Sequence, residues 1–151
     1  MFDGQSWARR LTGENCAACL LPAEGDDPLW VATLPSGRVR LQDDGDFRGY
    51  CILYFRRHVV ELPDLTAAER GQLMEDLSRV ADAIRQVCRP AKLNYACLGN
   101  EVPHLHWHIV PRYPEDGWWG RSFMVRPAEA RRSLPKPEYE SLRAALRAEL
   151  A

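Results

Sequence analysis

Hydrophobic positions open the chain's ordered part as short extended runs. Leu29 to Leu34 is an apolar run closed by the turn Pro35-Ser36-Gly37, and Arg38-Val39-Arg40-Leu41 alternates as a half-buried strand does. Asp43-Asp44-Gly45-Asp46 breaks the chain, and Tyr50 to Phe55 reads as a fully buried strand. The period then changes. Thr66 and Glu69 form a capping box just after Pro63, and Leu73, Leu77, Val80, Ala81, Ile84 and Val87 recur at helical spacing until Arg89-Pro90. Leu93 to Leu98, closed by Gly99-Asn100, and His104 to Val110, closed by Pro111, return to strand character. Residues 113–137, rich in Pro, Gly and Trp, read as a long loop, and a last helix is expected over about Glu138 to Leu150. Residues 1–15 are polar and read as a flexible N-terminus ahead of a single domain over 16–151. This order predicts an α+β domain with a largely antiparallel sheet.

Composition narrows the function classes. A 46% apolar and 27% charged chain is ordinary for a globular domain, and a net charge of -1 gives no global attraction to nucleic acid or to an anionic membrane. No apolar run is long enough to span a bilayer. Met1 to Ser6 lack the basic-then-apolar order of a signal peptide, so a cytoplasmic protein is expected. With that expectation, the five cysteines do not suggest a disulfide framework. Cys51, Cys88 and Cys97 lie in apolar segments and read as small buried hydrophobes. Cys16 and Cys19 stand apart as Cys-x-x-Cys. On spacing alone they fit a redox pair, half a zinc site or chance.

The strongest chemical signal is His104-Leu105-His106-Trp107-His108-Ile109-Val110. Alternate residues of a strand share a face, so this spacing lays three imidazoles in a row, backed by Leu105, Trp107 and Ile109. One structural histidine is unremarkable in a strand, but three on one face are costly without a use. Two uses compete at this point: a transition-metal site, or phosphoryl transfer with one imidazole attacking and a neighbour donating to phosphate oxygens.

This segment resembles the signature of the histidine-triad (HIT) superfamily, in its bacterial nucleotide-hydrolase branch. Pro111-Arg112 after the triad, Leu93-Asn94 in the preceding strand, Gly49 with His58 upstream and Leu65-Thr66 at the helix start agree with it. The likeness covers roughly residues 16 to 113. It implies a HIT-like domain with a five-stranded sheet, one long helix and a C-terminal helix. It also implies cleavage at the α-phosphate of dinucleoside polyphosphates or related nucleoside 5′-phosphate derivatives, without a catalytic metal. His106 would form a covalent nucleotidyl-histidine that water hydrolyses to a nucleoside monophosphate. His108 would donate to the phosphate oxygens, and Asn94 would contact a substrate for which a purine nucleoside phosphate is expected. Asn100 stands where many relatives carry a glutamine near the scissile bridge, on a stem one methylene shorter. Tyr54-Phe55-Arg56-Arg57 departs from a more usual proline and basic residue.

The resemblance further implies a structural zinc held by Cys16, Cys19, His58 and His104, a closed set that leaves His106 and His108 for phosphate. Asp43 or Asp44 would hold the ribose hydroxyls, against the plainer reading of a solvated turn. Trp118-Trp119 is a candidate substrate or dimer contact, while Arg131-Arg132 and Arg56-Arg57 read as solvated surface. A homodimer is expected. Phosphoramidase and nucleotidyltransferase activities are the enzyme alternatives, and a nucleotide- or metal-binding module is the non-enzyme one.

Overall fold

The computed structural model describes residues 3–151; Met1 and Phe2, part of the leading 1–15 segment, lie outside the described residues. The elements are α1 (Gly4–Leu11), β1 (Trp30–Leu34), β2 (Gly37–Leu41), β3 (Cys51–Phe55), α2 (Ala67–Cys88), β4 (Lys92–Leu98), β5 (His106–Arg112) and α3 (Lys136–Leu150). The strands form one antiparallel sheet in the order β1-β2-β3-β5-β4. This is the α+β architecture expected. The sequence reading placed no element before Cys16, where α1 begins on the Asp3 cap.

Helix α2 starts as its sequence dictates. The Thr66 side chain accepts from the Glu69 backbone N–H, and the Glu69 carboxylate accepts from that of Thr66, satisfying two end donors. The helix closes at Arg89 in the left-handed conformation (φ 50°). Its buried stripe of Leu73, Leu77, Val80 and Ile84 packs on one sheet face, which contributes Val39, Leu41, Leu53, Leu105 and Ile109. α3 adds Leu142 and Leu146 beside α2 and β1. Each such aliphatic side chain contributes about 1.5–3 kcal/mol by leaving water. Gly49 has φ 95°, and a Cβ there would lie 2.5 Å from the Cys88 sulfur, so only glycine fits.

Three expectations need correction. Strand β5 begins at His106, so His104 lies ahead of it and the three histidines do not form one row. It also runs on through Pro111 to Arg112. β3 ends opposite Ile109, so the missing Pro111 N–H interrupts no ladder on that side. Cys97 is exposed, because β4 is the sheet edge.

Candidate active site and metal centre

Because the helices cover one sheet face, the other is left for chemistry. Register places His106 opposite Tyr54 and Leu98, and His108 opposite Ile52 and Ala96. These residues project from the face away from α2, while Leu105 and Ile109 enter the core and the partly buried Trp107 packs against it.

Each ring is oriented by one specific bond. His106 Nδ1 lies 2.6 Å from the His104 carbonyl oxygen. A carbonyl only accepts, so Nδ1 carries the proton and neutral His106 keeps its lone pair on Nε2. The Tyr54 ring stacks on His106 at 5.4 Å between centroids. His108 sits 4.8 Å from His106, centroid to centroid, and its Nδ1 is 2.5 Å from the Tyr50 hydroxyl. Burial pushes the Tyr50 phenol above its ordinary value, so it stays protonated. The hydroxyl has no other acceptor among the described residues, so it donates to His108 Nδ1. That leaves Nε2–H of His108 as a donor. Burial, with the neighbouring His106 second, holds the His108 pKa down to about 4. Neutral His106 thus offers a lone pair beside the N–H of His108.

His104 turns the other way. Its Nε2–H donates to the Phe55 carbonyl (2.7 Å), which leaves Nδ1 facing Cys16 Sγ at 3.6 Å and Cys19 Sγ at 3.5 Å. His58 repeats the arrangement, with Nε2–H on the Leu11 carbonyl (3.0 Å) and Nδ1 3.6 Å from Cys19 Sγ. All four ligand atoms lie within 4.8 Å of one another. A tetrahedral zinc, with Zn–S of about 2.3 Å and Zn–N of about 2.0–2.1 Å, separates sulfur from nitrogen by about 3.6 Å. The donor set fits. Each histidine's second nitrogen is anchored on a carbonyl, as metal-bound imidazoles are. Burial and the adjacent Cys16 raise the Cys19 thiol to about 11, a cost that a divalent cation removes. The cluster is positioned for metal coordination and supports a structural zinc site.

The long loop is anchored to this face by ion pairs that sequence reasoning missed. Arg112, buried, pairs with Asp116 (2.7 Å) and donates to Asn94 Oδ1 and to the carbonyls of Trp118 and Arg121. Arg126 binds Asp44 and Asp46, Arg132 binds Asp46, and Arg131 donates to the Asp43 carbonyl. Arg131 and Arg132 are exposed, as expected, and reach from the surface to the segment 43–46, in which Asp44 and Asp46 are buried; the exposed Arg56 and Arg57 both bind Glu69. Phe47 is fully buried, with the Arg126 and Arg112 guanidinium carbons 4.4 and 5.2 Å from its ring centroid. The result is that Phe123 lies 5.9 Å from His108 and 6.0 Å from Tyr50, ring to ring.

Other sequence candidates fall in different places. Asp43 accepts the Leu134 N–H, and buried Asp44 accepts the N–H groups of Asp46 and Phe47 besides pairing with Arg126. Asn94 is on the histidine face, opposite Val110. Asn100 lies in the exposed loop after β4, lining a cleft with Trp7 and Glu61, and no hydrogen bond joins it to His106 or His108. Tyr50 and Tyr54 were detectable, since they alternate with Ile52 along a strand. Phe123 carried no local signal. No helix among the described residues is long and apolar enough to cross a membrane.

An antiparallel five-stranded sheet with an oriented histidine pair on its free face and a Cys₂His₂ cluster where β3 ends and β5 begins defines a histidine-triad protein. The HIT domain profile matches residues 30–115, more than half of the chain, and the chain belongs to the HIT family. A histidine triad protein from Bradyrhizobium japonicum is 32% identical, with a TM-score of 0.75 over 81% of this chain and 90% of that one. A histidine triad protein from Sinorhizobium meliloti shares the fold at 22% identity and a TM-score of 0.74, over 88% and 99%. So does a Zn-bound histidine triad family protein from Mycobacterium smegmatis, at 22% identity and 0.57, over 96% and 94%. An AP-4-A phosphorylase from Mycobacterium tuberculosis is 34% identical over 74 residues, 45% of this chain. The matched part spans only 38% of that relative, and 20% of a putative glutamate–cysteine ligase from Mycolicibacterium vanbaalenii.

Proposed function

We propose that the protein hydrolyses nucleotides at the α-phosphate, with His106 as nucleophile. The observation that carries this is the His106 Nδ1–His104 carbonyl bond of 2.6 Å, which fixes the attacking lone pair on Nε2. In the first step Nε2 attacks the α-phosphorus, an N–P bond forms, and the P–O bond to the leaving group breaks with its electron pair. His108 Nε2–H donates to a non-bridging oxygen, where charge is redistributed in the transition state. Water then attacks phosphorus in line and gives up a proton to solvent, the N–P bond breaks with its electron pair returning to Nε2, and a nucleoside monophosphate leaves. His106 returns to its starting tautomer.

The cavity of about 330 Å³ beside His104, where Leu21, Leu34, Tyr54 and Phe55 meet Thr33, Arg38 and Arg56, suits a nucleoside in size and offers it both apolar and polar walls. Asn94 is assigned to substrate contact on the same face. Asn100 is assigned to the scissile bridge, which requires its loop to move toward His106. Asp43 and Asp44 are assigned mainly to holding the 123–134 segment, since ribose contact requires them to share existing bonds. The M. tuberculosis relative's name, AP-4-A phosphorylase, favours an anhydride substrate over a phosphoramidate. The Zn-bound relative from M. smegmatis supports zinc as the ion in the Cys₂His₂ cluster. A homodimer through the β4 edge, where Tyr95 and Cys97 are exposed, completes the reading. Light scattering at micromolar concentration tests it, and a monomer mass refutes it.

Stereochemistry tests the mechanism. Two in-line displacements retain configuration at phosphorus, whereas one attack by a metal-bound water inverts it. An α-phosphorothioate substrate in isotopically labelled water should give net retention. Net inversion removes the covalent nucleotidyl-histidine and the role of His106 with it.

A further inference from the structure

Past His108, the histidine face ends in a second cavity of about 410 Å³, lined by Lys92, Asn94, Arg112, Trp119, Arg121 and Ser122. Its volume is in the range of small-molecule sites. Asn94 pairs with Val110, the next residue after His108 on that face, so the cavity begins about 7 Å along the strand from His108. The first cavity lies at the opposite end, beside His104. A substrate centred on His106 and His108 therefore has one pocket on each side.

The two pockets differ in charge and in ring chemistry. No carboxylate lines the second one. Arg112 is neutralised by Asp116, but Lys92 and Arg121 pair with no acidic side chain among the described residues. Trp119 lines the same cavity, with 49% of its surface exposed. An indole on a loose loop would mean little, but this loop is fixed. Arg112 donates to the carbonyls of Trp118 and Arg121, and the Trp118 N–H donates to Asp116. The backbone on both sides of Trp119 is thus tied to a buried cation, which fixes the indole in the same cavity wall as two positive charges that have no acidic partner among the described residues. Anionic phosphates and a planar base complement that surface by charge pairing and stacking.

We propose that this cavity is a leaving-group subsite that takes the phosphates and base of a nucleoside polyphosphate. The inference rests on the reading of His106 as nucleophile and deepens it to a substrate class. The bond broken joins the α-phosphorus to the bridging oxygen. The electron pair departs on that oxygen with the outgoing nucleoside polyphosphate, whose added negative charge falls beside Lys92 and Arg121. An amine expelled from a phosphoramidate takes up a proton and gains nothing from those two cations.

Binding separates this proposal from the nucleophile assignment. His106→Asn protein saturated with AMP should bind ATP as well, by calorimetry, with a change in tryptophan fluorescence that is lost in Trp119→Phe. Arg121→Ala should weaken that ATP binding at least about tenfold, as expected for a charge-assisted phosphate contact. In the active protein, Trp119→Ala should lower by about tenfold the ratio of kcat/KM for diadenosine tetraphosphate to that for adenosine 5′-phosphoramidate, the size of a lost base stack. ATP that only competes with AMP, or that binds Arg121→Ala unchanged, overturns the subsite while leaving hydrolysis intact. Inertness toward both substrates with ATP still bound beside AMP overturns the nucleophile and leaves the subsite standing.

Discussion

The two ends of the His104–His108 segment use one side chain in opposite ways. At the near end His104 spends Nε2–H on the Phe55 carbonyl and turns Nδ1 to two sulfurs. Two residues on, His106 spends Nδ1–H on the His104 carbonyl and frees Nε2. The imidazoles are chemically identical; the carbonyl each ring reaches decides its tautomer, and the tautomer decides which nitrogen keeps a lone pair and where it faces. The ends also differ in support. The metal cluster draws ligands from three separated stretches of chain, so it works as a tie between segments. The His106–His108 pair sits on one strand, with Tyr54 on the neighbouring one and Tyr50 just ahead of it. Loss of the first should be felt in stability, and loss of the second in turnover.

Removing the attacking nitrogen should give the largest effect. His106→Gly should lower turnover by on the order of 10⁴-fold or more, as expected for a covalent nucleophile, while AMP affinity and thermal midpoint change little. Near wild-type kcat would sink the division of labour. Cys16→Ser should do the reverse. Because structural zinc is folding free energy, a loss of several kcal/mol and of about 10 °C in Tm is expected, with specific activity of the folded fraction retained. Elemental analysis should find zinc in the wild type; its absence, or activity that depends on added metal, breaks the comparison from the other side.

Arg126→Met probes the seam that holds Phe123 beside His108. It removes the buried cation shared by Asp44 and Asp46, leaving Asp46 with Arg132 and Asp44 with two backbone N–H groups and a looser contact to Arg131. Denaturant unfolding should therefore report a loss of about 3 kcal/mol. Stability within experimental error of wild type would show that the seam is not structural.

Smaller effects sharpen the catalytic end. Tyr50→Phe removes the hydroxyl that donates to His108 Nδ1, so kcat/KM should fall about tenfold, the scale of one buried hydrogen bond. Nitrogen-15 shifts should show His108 losing its exclusive Nε2–H tautomer; an unchanged tautomer would contradict the assignment. For His108 itself the sign runs one way. Its folded pKa of about 4 lies below the ordinary 6.5, so the unfolded chain takes up the proton first. The stability it contributes is complete above about 6.5 and is lost as pH falls from there toward 4. Its N–H donor role stays constant across neutral pH, so a drop in kcat centred near 7 and assigned to His108 by NMR would refute this.

Much of the frame was legible along the chain. The capping box of Thr66 and Glu69 and the stripe Leu73–Val87 specify α2 locally, because helical contacts join residues three and four apart. Alternation along residues 105–109 placed Leu105, just ahead of β5, and Ile109 inward and His106 and His108 outward, since a strand's period is two. The same alternation misplaced His104, which has the right spacing but leaves the strand to reach the cysteines. It also misjudged Cys97, because nothing local marks β4 as an edge.

Long-range partners account for the rest. Asp43-Asp44-Gly45-Asp46 has the composition of a solvated turn, and Arg126, Arg131 and Arg132 that of a solvated surface. Joined across some 80 residues of chain they become a seam. Composition assigns each charge to water, and for Asp44, Asp46 and Arg126 burial beside an opposite charge reverses that, while Arg131 and Arg132 stay exposed. By itself, then, the sequence determined the elements, the inward and outward faces, and the family's histidine signature, all encoded in spacings of a few residues. The tertiary structure decided which carbonyl each histidine bonds, which carboxylates are already taken, and that Phe123 and Trp119 flank the site. Those outcomes depend on contacts between distant segments, which spacing along the chain does not encode.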